Sequence, residues 1–256
     1  MTSRKLSQLS SIALALALVA GTGHADCDHT ADREAFVDAA GARLIEIEAG
    51  AGSLEVEGRE GLTQVEARGT ACASREGDLD DVRIVTRRSG DRVTVIAEIP
   101  DGRVWGEARL DLEIAVPAGA AVKIDDGSGS LRVRKVASLE IVDGSGEIDV
   151  EEVAGDLVID DGSGGIRVRG VGGEVRIEDG SGEIDVNRAG SVVIEEDGSG
   201  EIDVAEVDGD VLVRADGSGG ISVREVGGDF TVRRDGSGGI RHEGVAGRVS
   251  VPERDR

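Results

Sequence analysis

Seven aspartates at regular spacing are the residues of this chain most suited to chemistry. Each begins the tetrapeptide Asp-Gly-Ser-Gly, and successive copies lie 17 to 19 residues apart. The seven residues are Asp126, Asp143, Asp161, Asp179, Asp197, Asp216 and Asp235. Carboxylate oxygens are the ligands that Ca²⁺ prefers. The pattern therefore allows an acidic calcium-binding module in which the metal stabilises stacked turns.

The same tetrapeptide also has a purely structural explanation. Glycine adopts the positive φ angles that a tight reversal requires, and an Asp side chain accepts hydrogen bonds from the amides that follow it. If the turns are open to water, the repulsion between neighbouring carboxylates is only about 1 kcal/mol per pair. We therefore expect these residues to form structural corners, with Ca²⁺ as the alternative and no other cofactor.

The residues between the corners predict the secondary structure that holds the seven aspartates in place. In the segment from Asp143 to Asp160, the apolar residues Ile148/Val150 and Leu157/Ile159 alternate with other residues, which is the period of a β-strand. A repeat of about 18 residues with two short strands and two glycine turns predicts an all-β fold. We expect a flattened, two-sheeted parallel β-solenoid, similar to a β-helix or β-roll, over residues 126–251.

Five positions in each coil are predicted to point inward, and the residues between them to face solvent. One outward column, Arg132–Asp149–Arg167–Asp185, predicts a ladder of alternating charges across the coils. A second outward column contains Val158, Val193 and Leu212, which form a candidate contact face. The last coil would use five further inward positions: Ile240, His242, Val245, Val249 and Val251.

The start of the chain has the pattern of a secretory signal peptide. Arg4 and Lys5 precede an apolar run from Ile12 to Ala20, which is too short to span a bilayer. We predict cleavage after Ala25 and an exported protein that is periplasmic, cell-surface or extracellular. The formal net charge of −23 argues against nucleic acid as a partner, and no other apolar run reaches membrane length.

Two cysteines, Cys27 and Cys72, follow the predicted cleavage site. An even cysteine count in an exported chain predicts one disulfide. The surrounding region, residues 26–125, lacks the tetrapeptide but is rich in strand-like segments. It is expected to form irregular coils of the same sheets or a small β cap. Residues 30–40 allow either a short helix or a first strand, and residues 252–256 form a polar tail.

The whole pattern resembles a known family. The segment Val116–Gly119, Val-Pro-Ala-Gly, leads into repeats of the form G-x-I-x-V-x-x-V-x-G-x-V-x-I. This arrangement is similar to the DUF4097 family of β-strand-repeat proteins, which are described as adhesins. The resemblance implies an exported parallel β-solenoid, and it supplies no catalytic residues to carry over.

The predicted function follows from these residues and from the resemblance. His29 and His242 are the only histidines after the predicted cleavage site, and the serines of the turns have no nearby base. We therefore expect a non-enzymatic scaffold that binds an unknown partner in the cell envelope or at the surface. The alternative is the calcium-binding module.

Overall fold

The structure, a computed structural model, describes residues 27–99 and 108–252. The predicted signal peptide, residues 1–25, lies outside the described residues. From Ala121 onward the chain winds in coils, and the strands of successive coils pair side by side in two ladders that form facing sheets. This arrangement confirms the predicted parallel β-solenoid with coils of about 18 residues.

The first sheet contains one strand from each coil. In spatial order its strands are β1 (His29–Asp38), β4 (Gln64–Ala73), β7 (Ala108–Pro117), β3 (Leu54–Arg59), β9 (Gly129–Val136), β11 (Gly146–Val153), β13 (Ile166–Asp179), β14 (Ile184–Asp197), β15 (Ile202–Val207), β18 (Ile221–Val226) and β21 (Ile240–Val245). From β7 onward every neighbouring pair is parallel.

The second sheet lies opposite the first. In spatial order its strands are β5 (Arg83–Ser89), β6 (Arg92–Glu98), β2 (Leu44–Glu48), β8 (Ala121–Asp126), β10 (Ser138–Asp143), β12 (Leu157–Asp161), the second halves of β13 and β14, β16 (Val211–Val213), β19 (Phe230–Val232) and β22 (Val249–Ser250). Two short strands at the corners, β17 (Asp216–Ser218) and β20 (Asp235–Ser237), pair with each other.

The core is a ladder of β-branched and aliphatic side chains between the two sheets. Every inward position predicted from Leu131 to Val232 is buried, as alternation on a pleated strand requires. In the last coil, Ile240, His242, Val245 and Val249 keep the register of the inward positions of the coil before, but they are less covered. There, Ile240, Val245 and Val249 are partly exposed and His242 and Val251 are exposed, because no further coil covers them among the described residues.

The region before Asp126 combines parallel coils with an antiparallel end. Strands β2, β3 and β8 join the parallel ladders, whereas β1 pairs antiparallel with β4 and β5 antiparallel with β6. The helix considered for residues 30–40 is wrong, because this segment is strand β1. A short helix, α1 (Glu76–Leu79), follows β4, and Arg33 donates hydrogen bonds to the carbonyl oxygens of Leu79 and Val82.

The predicted disulfide is confirmed. It joins Cys27 to Cys72, whose Cα atoms are 5.7 Å apart, and ties the start of the described chain to β4. Closing a loop of 45 residues stabilises the fold by about 4 kcal/mol on the loop-entropy model. In residues 27–99 and 108–252, no helix is long and apolar enough to cross a membrane.

The corner glycines are required mainly by the close approach of successive coils. At Gly164, which follows the Ser of its corner, φ is 145°, and a Cβ would overlap the carbonyl oxygen of Gly146 in the coil before. Gly198 differs, because its φ lies outside the positive region, yet a Cβ there would also overlap a backbone oxygen, that of Gly180. The corner therefore needs glycine for space as well as for conformation.

Replacing Gly164 with Ala should destabilise the array by about 3 kcal/mol or more, because the substitution combines backbone strain with a clash against the neighbouring coil. The matched control is Gly165→Ala, one residue further along, where a Cβ would meet no atom within 4 Å. That change should alter the free energy of unfolding by less than about 1 kcal/mol. Urea unfolding followed by circular dichroism measures both, and equal effects would contradict the packing assigned to the corner.

Candidate functional site

The seven aspartates form one continuous column along a corner of the solenoid. Parallel pairing places each aspartate directly beside the next, from Asp126 with Asp143 to Asp216 with Asp235. Neighbouring carboxylates are therefore separated by the strand spacing of about 4.8 Å. We call these seven residues the aspartate column.

The carboxylates hold the corner through the amides that follow them. The Oδ1 atom of Asp126 accepts a hydrogen bond from the amide of Gly127 (2.8 Å). The Oδ1 atoms of Asp161 and Asp179 accept from the amides of Ser163 (3.2 Å) and Ser181 (3.0 Å). These contacts are the turns predicted for the tetrapeptide, and they satisfy one oxygen of each of these three carboxylates.

The aspartate column does not face water. The first six aspartates expose only 1–5% of their surface, because each sits beneath the turn of its own corner and between two neighbouring coils. The Oδ2 atom of each of these six is buried and receives no hydrogen bond. At the effective dielectric of about 20 typical of protein sites, two ionised carboxylates about 5 Å apart repel by about 3 kcal/mol, not the 1 kcal/mol expected in water.

Burial and like charge raise the pKa of several members of the column. Burial, followed by the charge of Asp143, raises the pKa of Asp126 to about 6. Burial, followed by the charges of Asp179 and Asp216, raises the pKa of Asp197 to about 7. A proton shared between neighbouring carboxyl groups would supply the missing hydrogen bond and remove one charge. The column can therefore take up protons near neutral pH.

The geometry of the column limits what a metal ion could contact. In residues 27–99 and 108–252, no three His, Cys, Asp or Glu side chains converge closely enough to hold a metal ion. Carboxylates in a straight line offer an ion between two coils at most two neighbours, whereas Ca²⁺ takes six to eight oxygen ligands. Further ligands would have to come from turn carbonyls and water.

A second candidate lies on the outward face of the first sheet. The predicted ladder Arg132–Asp149–Arg167–Asp185 is present in register. The same row continues to the start of the sheet through four further strands. These added members, in order from β1, are Glu34, Arg68, Glu113 and Glu55. We call the row from Glu34 to Asp185 the charged row.

Ion pairs order this row. Arg68 pairs with Glu34 (3.4 Å) and Arg132 with Asp149 (3.5 Å), and Arg134 from the neighbouring row reaches Glu55 (3.1 Å). Each pair is partly exposed, so it contributes under about 1 kcal/mol to stability. They favour particular positions of these long side chains on the sheet.

A groove of about 510 Å³ runs beside the charged row. Its floor follows the short side chains of Ser53, Thr70 and Ser130, and one wall is formed by the longer side chains of the row. Asp111 is held in the groove by the amide (2.9 Å) and hydroxyl (3.1 Å) of Ser53. Seven carboxylate residues and four arginines line the groove, so it is acidic with embedded positive charges.

The three residues of the predicted contact face share one column but are not equally exposed. Val158, Val193 and Leu212 do lie in one outward column, in the register that the repeat predicts. Val158 is 39% exposed, whereas Val193 is only 9% exposed and Leu212 is intermediate. Arg176 separates Val158 from Val193 and forms ion pairs with Glu174 and Glu195. The three residues therefore do not form one apolar patch.

Sequence reasoning missed the half of the groove that comes before the repeats. The residues of β1, β4 and β7 belong to no repeat, so the sequence contained no signal that would bring Glu34, Arg68 and Glu113 beside Glu55. The strand-like alternation of these segments was visible, but their antiparallel pairing was not.

Fold and surface together define a parallel β-solenoid with a buried carboxylate column and a charged outer face. Residues 38–235 match the Toastrack DUF4097 family. The match covers most of the chain, and the chain therefore belongs to this family, which confirms the resemblance read from the repeats.

Several solved structures are similar to this chain at low identity. A candidate adhesin from Bacteroides fragilis is 12% identical, with 88% of this chain and 98% of that one covered and a TM-score of 0.46. A candidate lipid-binding protein from Parabacteroides distasonis is 15% identical, with coverage of 88% and 98% and a TM-score of 0.43. A search of curated proteins finds no match. Similarity at this level does not indicate what this chain binds.

The raised pKa values predict how stability depends on pH. The carboxyl of Asp197 has a pKa of about 7 in the folded chain against 3.8 for a free Asp side chain. Below about pH 4 both states are protonated, and between these values only the folded state holds the proton. The free energy of unfolding should therefore fall as pH rises from 5 to 8, by on the order of 2 kcal/mol for this residue.

Asp197→Asn tests this dependence. An amide carries no charge and can donate to a neighbouring carboxylate, so the variant should be more stable than wild type at pH 8 and show a flatter pH profile. Asp203→Asn, an outward change in the next coil, is the control and should leave the profile unchanged. Urea midpoints at a series of pH values measure all three, and a wild-type stability that rises from pH 5 to 8 would contradict the assignment.

Proposed function

We propose that this protein is an exported, non-catalytic scaffold that binds a partner of the cell envelope or surface through the groove beside the charged row. The observation that carries the proposal is the groove itself. It is about 510 Å³ in volume, and its side chains project from a paired, in-register sheet. A rigid surface with fixed charges is suited to recognition, because little conformational entropy is lost when a partner binds.

The charges of the groove indicate the chemistry of the partner. Carboxylates outnumber arginines along the lining, and the formal net charge of the chain is −23. A negative surface attracts basic side chains and raises the rate of encounter with them. The proposed partner is therefore a protein that presents basic residues, with acidic residues placed to meet Arg68 and Arg132.

Export of the chain is supported by two observations. The segment before Ala25 has the basic and apolar regions of a signal peptide. The disulfide between Cys27 and Cys72 is stable in oxidising compartments and rare in the cytosol. The proposal therefore places the scaffold in the periplasm, at the cell surface or outside the cell.

Site-specific crosslinking in intact cells tests the groove. A photo-crosslinking residue at Ser130, on the groove floor, should form an adduct with a partner protein. The same residue at Thr231, outward on the second sheet, is the positional control and should not form it. Combining Ser130 labelling with Glu55→Arg and Glu113→Arg should reduce the adduct at least tenfold by reversing the charge of the wall. Equal crosslinking from both positions, or an adduct that survives the charge reversal, would contradict the proposal.

A second candidate function is an acidic module that binds Ca²⁺ along the aspartate column. The observation in its favour is the set of six buried Oδ2 atoms that receive no hydrogen bond. A cation between coils would neutralise the repulsion that protons relieve at lower pH. Binding of this kind would tune the stability of the solenoid without a catalytic step.

Calcium titration distinguishes the two candidates. At pH 8, Ca²⁺ should raise the melting temperature of the wild type relative to EDTA if the column binds metal, and Asp197→Asn should abolish most of that gain. Asp203→Asn, which leaves the column intact, should retain it. A melting temperature that does not respond to Ca²⁺ would reject the second candidate and leave the groove proposal unaffected.

A further inference from the structure

The two ends of the solenoid differ in how they are covered. Strand β1, helix α1 and strand β5 lie over the first coils, and Ile45 and Val56 are fully buried. At the other end, no described residue continues the two sheets beyond β21 and β22. The inward side chains of that last coil are accordingly exposed or partly exposed. Repeat proteins need capping at their ends, because an open end leaves core side chains and strand edges in water.

The free edge of β21 presents a defined set of backbone groups. The amide of Ile221 donates to the carbonyl of Gly239 (2.9 Å), so residue 239 directs its backbone groups toward β18. Backbone groups alternate in direction along a strand. Arg241 and Glu243 therefore also direct theirs toward β18, whereas Ile240 and His242 direct theirs toward the open edge.

We propose that two copies of this chain associate at these ends, with β21 pairing antiparallel with β21 of the second copy about a two-fold axis through His242. In this register His242 faces the second copy's His242 and exchanges two backbone hydrogen bonds with it. A two-fold axis perpendicular to the solenoid would bring both sheets of one copy against both sheets of the other. The exposed side chains of Val249 and Val251 would then be covered as well.

Charge complementarity favours a second copy of this chain as the partner, and it favours the register centred on His242. About His242, Arg241 lies opposite the second copy's Glu243, and the pair occurs twice because of the symmetry. Both side chains point to the outward face, where Arg241 continues the row of Ser222 and Glu243 that of Arg224. Moving the axis by one residue, to Arg241 or to Glu243, would place like charges opposite each other, which is destabilising.

The side chains around the axis also fit this arrangement. Ile240 would face Gly244 of the second copy, so that this bulky residue meets a glycine. The His242 ring packs against Phe230 in a tilted arrangement, with ring centroids 6.1 Å apart, so the two histidines would cover the core of their own copies. Gly244 has a φ of 68°, which bends the strand there and limits the paired segment to the residues from Ile240 to Gly244. The short segment predicts a reversible dimer.

Sedimentation of the disulfide-bonded exported chain over a range of concentrations tests the association. Wild type should show a monomer–dimer equilibrium. Arg241→Glu and Glu243→Arg should each weaken it at least tenfold, and the double variant should restore it, because the swapped charges again face opposite charges. Arg87→Glu, the same charge change at the opposite end, should dimerise as wild type does. A monomeric wild type, or a dimer that neither single variant weakens, would overturn the proposal.

A crosslink tests the register independently. Directly opposed residues in a hydrogen-bonded antiparallel pair have Cα atoms about 5.5 Å apart, which a disulfide can bridge. His242→Cys should therefore form a covalent dimer under mild oxidation. Thr231→Cys, on the outward face of the second sheet, should not. A dimer in sedimentation that His242→Cys fails to trap would overturn the two-fold pairing at this strand.

Discussion

In-register stacking of coils at the spacing of parallel strands is the constraint on which the rest of the structure depends. Once each coil lies about 4.8 Å from the next, every position along a coil becomes a column along the solenoid. Residues that repeat in sequence then become contacts in space. Val150 lies on Val168, Asp143 lies beside Asp161, and Gly146 lies under Gly164. The equivalent residues of successive coils must therefore be able to lie beside one another, whether they are apolar, charged or glycine.

The three kinds of column meet this requirement differently. Apolar columns gain from stacking, because each side chain is buried by its neighbours. Glycine columns allow the backbones of two corners to approach at a distance that a Cβ would prevent. Stacking is unfavourable in the aspartate column, because burial and the like charges of neighbouring carboxylates both oppose ionisation. Hydrogen bonds from the corner amides offset part of this cost, and uptake of protons at lower pH relieves the repulsion further. The corner is therefore retained for its geometry at some electrostatic cost.

The sequence predicts the regular part of this structure because its period is directly visible. Inward positions from Leu131 to Val232 follow from alternation alone, and so does the register of the charged row within the repeats. The burial of the aspartates could not be predicted from one coil, since the neighbouring coils and the turn cover them together. Gly198 shows the same limit: its role depends on an oxygen of Gly180, the equivalent residue of the coil before, which lies close only once the coils stack. Antiparallel pairing of β1 with β4 depends on contacts that no repeat encodes.

The charges of the chain are arranged in opposite ways inside and outside the solenoid. Inside the corner, carboxylates stack on carboxylates, and the fold must suppress their charge. On the outward face of the first sheet, arginines alternate with carboxylates from Glu55 to Asp185, so that neighbouring coils attract each other while both signs stay available to a partner. A surface of this kind can be extended by adding further strands of the same pattern. Strand β21 is the last strand of the described ladder, and Arg241 and Glu243 lie on that same face. The pairing of opposite charges that orders neighbouring coils within one chain therefore also determines which strand can pair with β21.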